Sequence, residues 1–251
     1  MLNKGFDLYT WYARFIPAVI VLLPAIIAVW LWFPHIAIIE RLTAFGLIST
    51  ILSILLAQLG RDMGFKKQPK LWEQWGGAPT TQILRHRNTA SNAALRSRYH
   101  SKLSALLPDI ALPTAEEEAR DPKRADDIYG MCVKFLISQT RDQKRFCLVF
   151  KENKSYGFRR NLWGMKPLGI SIASMALISS AARLWIEWQR TGVIMTNTSA
   201  SVLIILVFLL LWIFWVIPIW VRIPADAYAE RLLETCEQLQ PPSEEKRVIQ
   251  P

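Results

Sequence analysis

Residues 60–100 read GRDMGFKKQPKLWEQWGGAPTTQILRHRNTASNAALRSRYH. The stretch begins where a long apolar run ends at Leu59 and opens the one large polar region of the chain. It carries Trp72 and Trp75, a Gly76-Gly77 turn, the pair Thr80-Thr81 and a dense set of arginines. Apolar runs lie on both sides of the polar region, two before it and two after. That alternation decides the fold: two hydrophobic pairs separated by a polar domain.

The chain has 251 residues, 52% hydrophobic, with a mean hydropathy of +0.20. The clustering of the apolar residues matters more than their share, because a run of ~20 is enough to span a bilayer as a helix. Four runs qualify. The first, 15–33, carries no charge and holds Pro17 and Pro24, which membrane helices tolerate better than soluble ones. It is longer than a signal-peptide core, and no small-residue cleavage site follows, so it reads as a retained span. Pro34 and His35 form a short connection to the second span, 36–59, which has a small, mildly polar face at Thr43, Ser49, Thr50 and Ser53. The third, 167–188, spaces Gly169, Ala173, Ala176 and Ser180 for close helix approach. Its Arg183 and Glu187 form an i,i+4 pair, read as interfacial. The fourth, 201–221, is the most apolar and ends among Trp212, Trp215 and Trp220. The fold class predicted is an all-α membrane protein with four transmembrane helices and a mostly helical cytosolic domain between spans two and three. The domains are 1–59, 60–166, 167–222 and a tail at 223–251.

Charge sets the orientation. Residues 60–166 hold 21 of the 30 Lys and Arg against 11 Asp and Glu, while the outer connections carry only Arg190. Positive residues flanking spans stay inside, so this segment and both termini are expected in the cytosol. Anionic lipid headgroups are then natural neighbours of the basic residues. Nucleic-acid binding also suits a basic domain, but the positive-inside rule accounts for the juxtamembrane charge without it, so nucleic acid is disfavoured.

Within the polar domain, 70–75 is predicted as a short helix stopped by the Gly-Gly turn. A following helix is predicted to carry Arg85, His86 and Arg87 and then Arg96, Arg98 and His100, a set matched to phosphate. Thr114 and Glu117 have capping-box spacing. Ile128, Cys132, Phe135 and Leu136 mark a helix over 125–139, and another is expected over 140–153. The tail, 225–240, reads as an amphipathic helix able to dock on the basic loop. Pro241-Pro242 ends it, and the last nine residues are expected to be disordered.

The segment 153–166 lies at the inner mouth of span three, as 60–70 does at that of span two. If these spans pack together, the two segments meet, and Arg61, Lys66, Arg159 and Arg160 form a cationic shelf with Asp62 and Glu152 as partners. The anion-binding candidates are therefore Arg61, Lys66, Arg85, His86, Arg87, Arg159 and Arg160.

No nucleotide-binding loop, HExxH or nucleophile motif is present. Cys132, Cys147 and Cys236 are not in metal-ligand spacing and read as reduced packing residues. Asp126-Asp127 reads as a solvated helix start. No catalytic residue, metal or cofactor is assigned, and an enzyme is disfavoured.

The patterns GRDxGxxxxxxLWxxWGGxPTTxxLRHR (60–87) and RDxxRFxLxFxENxxYGFRRNLxGxKPxG (141–169) resemble those of a family of bacterial multi-span inner-membrane proteins of unknown function. The resemblance covers about a third of the chain and implies a bacterial inner-membrane location, with no substrate or functional residue attached. The preferred reading is a non-enzymatic signalling or effector protein that binds an anionic ligand or a cytosolic protein partner. The alternatives are a membrane-bound enzyme acting on phosphate-bearing lipid or nucleotide, and a homo-oligomeric channel or pore-forming effector such as those of phage defence.

Overall fold

The computed structural model describes residues 8–33, 36 and 38–241. The Pro34-His35 connection and the chain end beyond Pro241 lie outside them. Among the described residues the regular elements are all helical, with no strand. In chain order they are α1 (Leu8–Thr10), a π-helical turn (Trp11–Phe15), α2 (Ile16–Trp32), α3 (Ile38–Trp75), α4 (Pro79–Leu84), α5 (Ala93–Leu106), α6 (Ala115–Arg120), α7 (Pro122–Gln139), α8 (Cys147–Gly164), α9 (Lys166–Thr191), α10 (Thr196–Phe214), α11 (Pro218–Glu234) and a 3-10 turn (Thr235–Glu237). Four helical stretches are long and apolar enough to cross a membrane: Trp11–Trp32, the stretch beginning at Ile38, Lys166–Thr191 and Thr196–Phe214.

The chain divides into two compact units. The first comprises residues up to Pro69 together with Lys154–Arg222, and the second Lys70–Asn153 together with the residues from Ile223 onward. Residues 60–69 and 154–166 thus group with the apolar helices, and the tail groups with the polar segment.

In the first unit α2, α9 and α10 pack through small side chains. Ala18, Val21 and Ala28 of α2 are buried, as are Ala173, Ala176 and Ser180 of α9. Gly169 lies under the Trp212 indole, where a Cβ would collide with the ring. The outward faces are apolar instead: Ile39 is 76% exposed, Ile178 70% and Phe214 70%. Each such side chain would cost about 1.5–3 kcal/mol in water relative to burial, so a hydrocarbon surrounding suits these faces.

Helix α3 runs unbroken for 38 residues. At ~1.5 Å per residue that is roughly 57 Å, well beyond the ~30 Å hydrocarbon thickness. The short helix predicted at 70–75 is therefore the last part of a longer one. It stops where expected, with Gly76 at φ 83° and Gly77 at φ 129°, backbone that a side chain rarely adopts.

The fourth apolar helix ends earlier than the 201–221 prediction. Pro218 has no N–H and biases the preceding residue away from the helix, so α10 stops at Phe214 and α11 starts at Pro218. Lys166 Nζ donates to the carbonyls of Ile213 and Val216, both at 3.0 Å, and so satisfies groups that the break frees.

Helices α3 and α8 cross with their backbones almost touching. A Cβ on Gly164 would lie 2.7 Å from the Gly64 nitrogen and 2.8 Å from its Cα. A Cβ on Gly64 would meet Asn161. Polar bonds surround the crossing: Lys67 Nζ donates to the Gly164 carbonyl at 2.7 Å, and Asn161 Nδ2 donates to the Ala13 carbonyl at 2.8 Å.

The second unit has its own core. Leu84, Tyr99, Leu103, Tyr129, Cys132, Leu136 and Phe146 pack with Leu232, Leu233 and Cys236 of the tail. The helix predicted over 140–153 begins at Cys147 instead and continues to Gly164.

Gly164→Val is predicted to lower stability by about 1–3 kcal/mol or more through overpacking at the crossing. Gly130, on α7, has open space where a Cβ would go, so Gly130→Ala is predicted to raise stability by about 0.5–1 kcal/mol. Thermal unfolding of the full chain in nanodiscs checks both signs.

Candidate functional site

The arginines of the sequence motifs fall into two groups with different fates. In the second unit α4 ends at Leu84, and Arg85 takes an extended conformation at φ −67° and ψ 131°. The continuous basic helix predicted from Arg85 to His100 is therefore broken. The physical reason is local: Asn88 Nδ2 donates to the Gln82 carbonyl, and the Asn92 side chain caps α5 by accepting from the amides of Ala94 and Leu95. Such side chains compete with helix propagation and favour caps.

The extended backbone turns both arginines toward carboxylates. Arg85 Nε and Nη2 each lie 2.8 Å from an oxygen of Asp126, and Nη1 donates to the Gly76 carbonyl. Arg87 Nη2 meets the same carboxylate at 2.8 and 2.9 Å, while Nη1 donates to Glu118 at 3.1 Å. Asp126, predicted as part of a solvated helix start, is thus a shared acceptor for two guanidiniums. The fork geometry of arginine makes such pairs well directed.

Glu118 completes the latch and is 1% exposed. Its Oε2 accepts from the Tyr129 hydroxyl at 2.7 Å and the His86 amide at 2.8 Å, and its Oε1 accepts from the Arg87 amide at 3.1 Å. Burial pushes the Glu118 carboxyl up, but these bonds and the Arg87 charge outweigh it and hold the group below the ordinary carboxylate value. Burial raises the Tyr129 hydroxyl, and its bond to Glu118 adds to that. The histidines are held by backbone: His86 Nε2 is 3.2 Å from the Pro113 carbonyl, and His100 Nε2 is 2.8 Å from that of Leu84. Their rings meet edge to face at 4.7 Å. Arg85, His86 and Arg87 therefore lie in an internal latch, with their principal donors directed inward.

The second group lies at the crossing in the first unit. Arg160 is 4% exposed. Its guanidinium sits 3.7 Å from the Phe65 ring centroid and donates to Gln68 Oε1 at 2.7 Å. Further bonds reach Asn161 Oδ1 at 3.2 and 3.3 Å. Arg61 lies over the same Phe65 ring at 5.5 Å, and its Nε is buried with no hydrogen-bond partner. The buried Arg160 gains up to about 2 kcal/mol from such a cation–π contact, whereas Arg61, whose side chain is 42% exposed, gains about 0.5–1 kcal/mol, and neither contact neutralises the charge.

Arg14, on the π-helical turn and over the Tyr9 ring at 5.7 Å, adds its positive charge to that of Arg61 against Arg160. Burial is the main cause lowering Arg160 from the ordinary guanidinium value, and Tyr9 and Tyr156 work in the opposite direction. Among the described residues of this unit, the acid placed to answer the cluster is Asp62, 3.9 Å from Arg61 and 73% exposed. Charge pairs as open as this contribute little.

Of the expected shelf, the crossing thus brings Arg61 and Arg160 together. Arg159 turns elsewhere, donating to the Trp220 carbonyl at 2.9 Å and lying over its ring at 4.8 Å. Lys66 is exposed on α3. Glu152 belongs to the second unit. Arg14 was not among the sequence candidates, since it precedes span one and lies far from both motifs in the chain. The one available signal was a basic residue at the mouth of a span. Among the described residues no three His, Cys, Asp or Glu side chains gather as a metal would require. Comparison with protein families, with curated proteins and with solved structures gave no match to this chain.

The latch predicts a pH dependence of known sign. A carboxyl lowered by folding stabilises fully above its unfolded pKa of ~4.3 and loses that contribution as pH falls through the lower folded value. Amide exchange at His86 and Arg87 is therefore predicted to be slow near neutrality and to gain protection-loss beyond intrinsic chemistry below that range. Glu118→Gln is predicted to cost about 2–4 kcal/mol, because it leaves buried donors unpaired. Exchange mass spectrometry of the 84–90 segment in the full chain measures both.

Proposed function

We propose that this chain is a multi-pass protein of a bacterial inner membrane, with the polar unit and both termini in the cytosol. It acts there as a non-enzymatic signalling or effector protein that responds to an anionic ligand. The topology rests on the concentration of Lys and Arg in residues 60–166 and on the positive-inside rule. The bacterial assignment rests on the resemblance of the two sequence motifs to those of bacterial inner-membrane proteins.

The observation that carries this reading is the meeting of Arg61 and Arg160 over the Phe65 ring, where, among the described residues, the acid beside them is the exposed Asp62. Guanidiniums present forked donors matched to phosphate and carboxylate. An anion seated here neutralises charge that burial leaves costly. Each arginine belongs to a different part of the bundle. Arg61 lies on the helix that contains the second span, and Arg160 lies on the helix that leads to the third. An anion held by both therefore ties these two elements together and stabilises that arrangement by mass action. Its chemistry is a phosphate, carried by a soluble molecule or by a lipid headgroup. The reading is of a binding site because, of the acid and base candidates, Asp62 is open to solvent and His86 is held in the second unit.

Thermal unfolding in phosphatidylcholine nanodiscs tests the reading. Pyrophosphate or a nucleoside triphosphate is predicted to raise Tm by several degrees, and Arg61→Gln to abolish the rise with little change in the ligand-free Tm. A rise seen only when phosphatidylglycerol replaces phosphatidylcholine assigns the phosphate to lipid. If neither source raises Tm, or if Arg61→Gln responds like the parent, the reading is wrong.

A further inference from the structure

The first unit contains a second polar constellation, remote from the arginine cluster. It lies near the far end of α9, where Arg183 is 17 residues from Lys166, roughly 25 Å along the helix at ~1.5 Å per residue. Here α2, α9 and the start of α10 line an open cleft of ≈ 840 Å³. One wall is apolar, with Ile27 and Leu31 of α2. The other carries Arg183, Glu187, Arg190 and Thr198. The volume falls in the range of small-molecule sites, which are typically apolar clefts with a few placed polar groups.

The polar wall is built rather than incidental. Glu187 is 9% exposed, and both its oxygens are engaged. Arg183 Nε donates to Oε1 at 2.7 Å, and the Thr198 hydroxyl, 3% exposed, donates to Oε2 at 2.7 Å. Arg183 is held from the other side by the Trp32 ring, 5.5 Å away, and Trp32 Nε1 donates to Ser179 Oγ at 2.8 Å. Both ionisable groups are thus paired, as such groups near the end of a span usually are.

The wall has a definite charge. Glu187 is already matched by Arg183 and Thr198, so it has little left with which to hold an amine. Arg183 commits one of its five N–H donors to Glu187, and among the described residues its two terminal nitrogens make no further bond. Arg190, one turn beyond Glu187, is exposed and carries no acidic partner among the described residues. The cleft thus offers two guanidiniums against one satisfied carboxylate, beside an aliphatic wall that faces the apolar part of the bundle.

We infer that this cleft binds an anionic amphiphile, with a phosphate or carboxylate head on Arg183 and Arg190 and an acyl chain along Ile27 and Leu31. The bilayer is the nearest source of such molecules, as anionic phospholipid or as free fatty acid. A soluble phosphate has the head alone and lacks the part that the aliphatic wall accommodates. The site is independent of the arginine cluster at the crossing and stands whether or not that cluster binds an anion.

Native mass spectrometry of the full chain, released from nanodiscs into mild detergent, tests this. The probes are dioleoyl phosphatidylglycerol, phosphatidylcholine of the same chains, oleate and glycerol phosphate. Retention of phosphatidylglycerol or oleate is predicted to exceed that of phosphatidylcholine at least fivefold, and glycerol phosphate is predicted not to compete at millimolar concentration. Arg190→Gln, at an exposed position, is predicted to lower anionic retention about tenfold with unchanged Tm, and Arg190→Lys to restore most of it. Retention of oleate without phosphatidylglycerol, or the reverse, assigns the head while keeping the site. Arg61→Gln is predicted to leave this retention intact, which separates the two anion sites. Equal retention of phosphatidylcholine, full competition by glycerol phosphate, or parental retention in Arg190→Gln overturns the inference.

Discussion

The backbone-to-backbone approach of Gly64 and Gly164 is the constraint on which the first unit depends. Apolar side chains give little drive for helix association in lipid, where the tails are as apolar as leucine. Close approach and polar bonds have to supply it instead. At this crossing the two glycines remove the steric barrier, and Lys67, Arg160 and Asn161 supply bonds to Gly164, Gln68 and Ala13. Hydrogen bonds of this kind contribute about 0.5–1.5 kcal/mol each, and those to charged groups about 1.5–3 kcal/mol. No single bond fixes the arrangement, but the glycine pair lets all of them form at once. The same approach carries Arg160 onto Phe65, and so next to Arg61.

Neighbouring arginines in one chain thus serve opposite ends. Arg85 and Arg87 are matched by Asp126 and Glu118, so their charges are neutralised within the second unit and fix its α4 and α7 ends. Arg61 and Arg160 lie beside an aromatic ring and, among the described residues, have one weak acidic neighbour, so their charges persist. The difference does not lie in the arginines. It lies in whether a carboxylate on another element faces them, and that is a tertiary property.

This marks what the sequence could reveal. The four apolar runs, the stop at Gly76-Gly77 and the Thr114 capping box are local patterns, and each has its counterpart: the helices, the positive φ values, and the Thr114 and Glu117 bonds at 2.8 and 3.2 Å. The meeting of segments 60–69 and 154–164 also followed from topology, since both border apolar spans that can pack together. Three features were hidden. Glu118 sits in a run of three glutamates, and nothing local marks it as the buried one. Asp126 looks like its neighbour Asp127 until Arg85 and Arg87 are brought across the fold. Arg14 acts on the Arg160 charge from a π-helical turn, a register change that no periodicity announces. Each depends on a partner more than 30 residues away, beyond the reach of any helical pattern.

The central claim is that segments 60–69 and 154–164 form one cooperative structure through their glycine crossing. Hydrogen exchange of the full chain in nanodiscs tests it most directly, by comparing amide protection in the two segments before and after a Cβ is placed at Gly164. The account predicts matched protection in the parent protein and a joint loss in both segments for Gly164→Ala, although only one of them carries the change. Loss confined to 154–164, with 60–69 as protected as before, would contradict it.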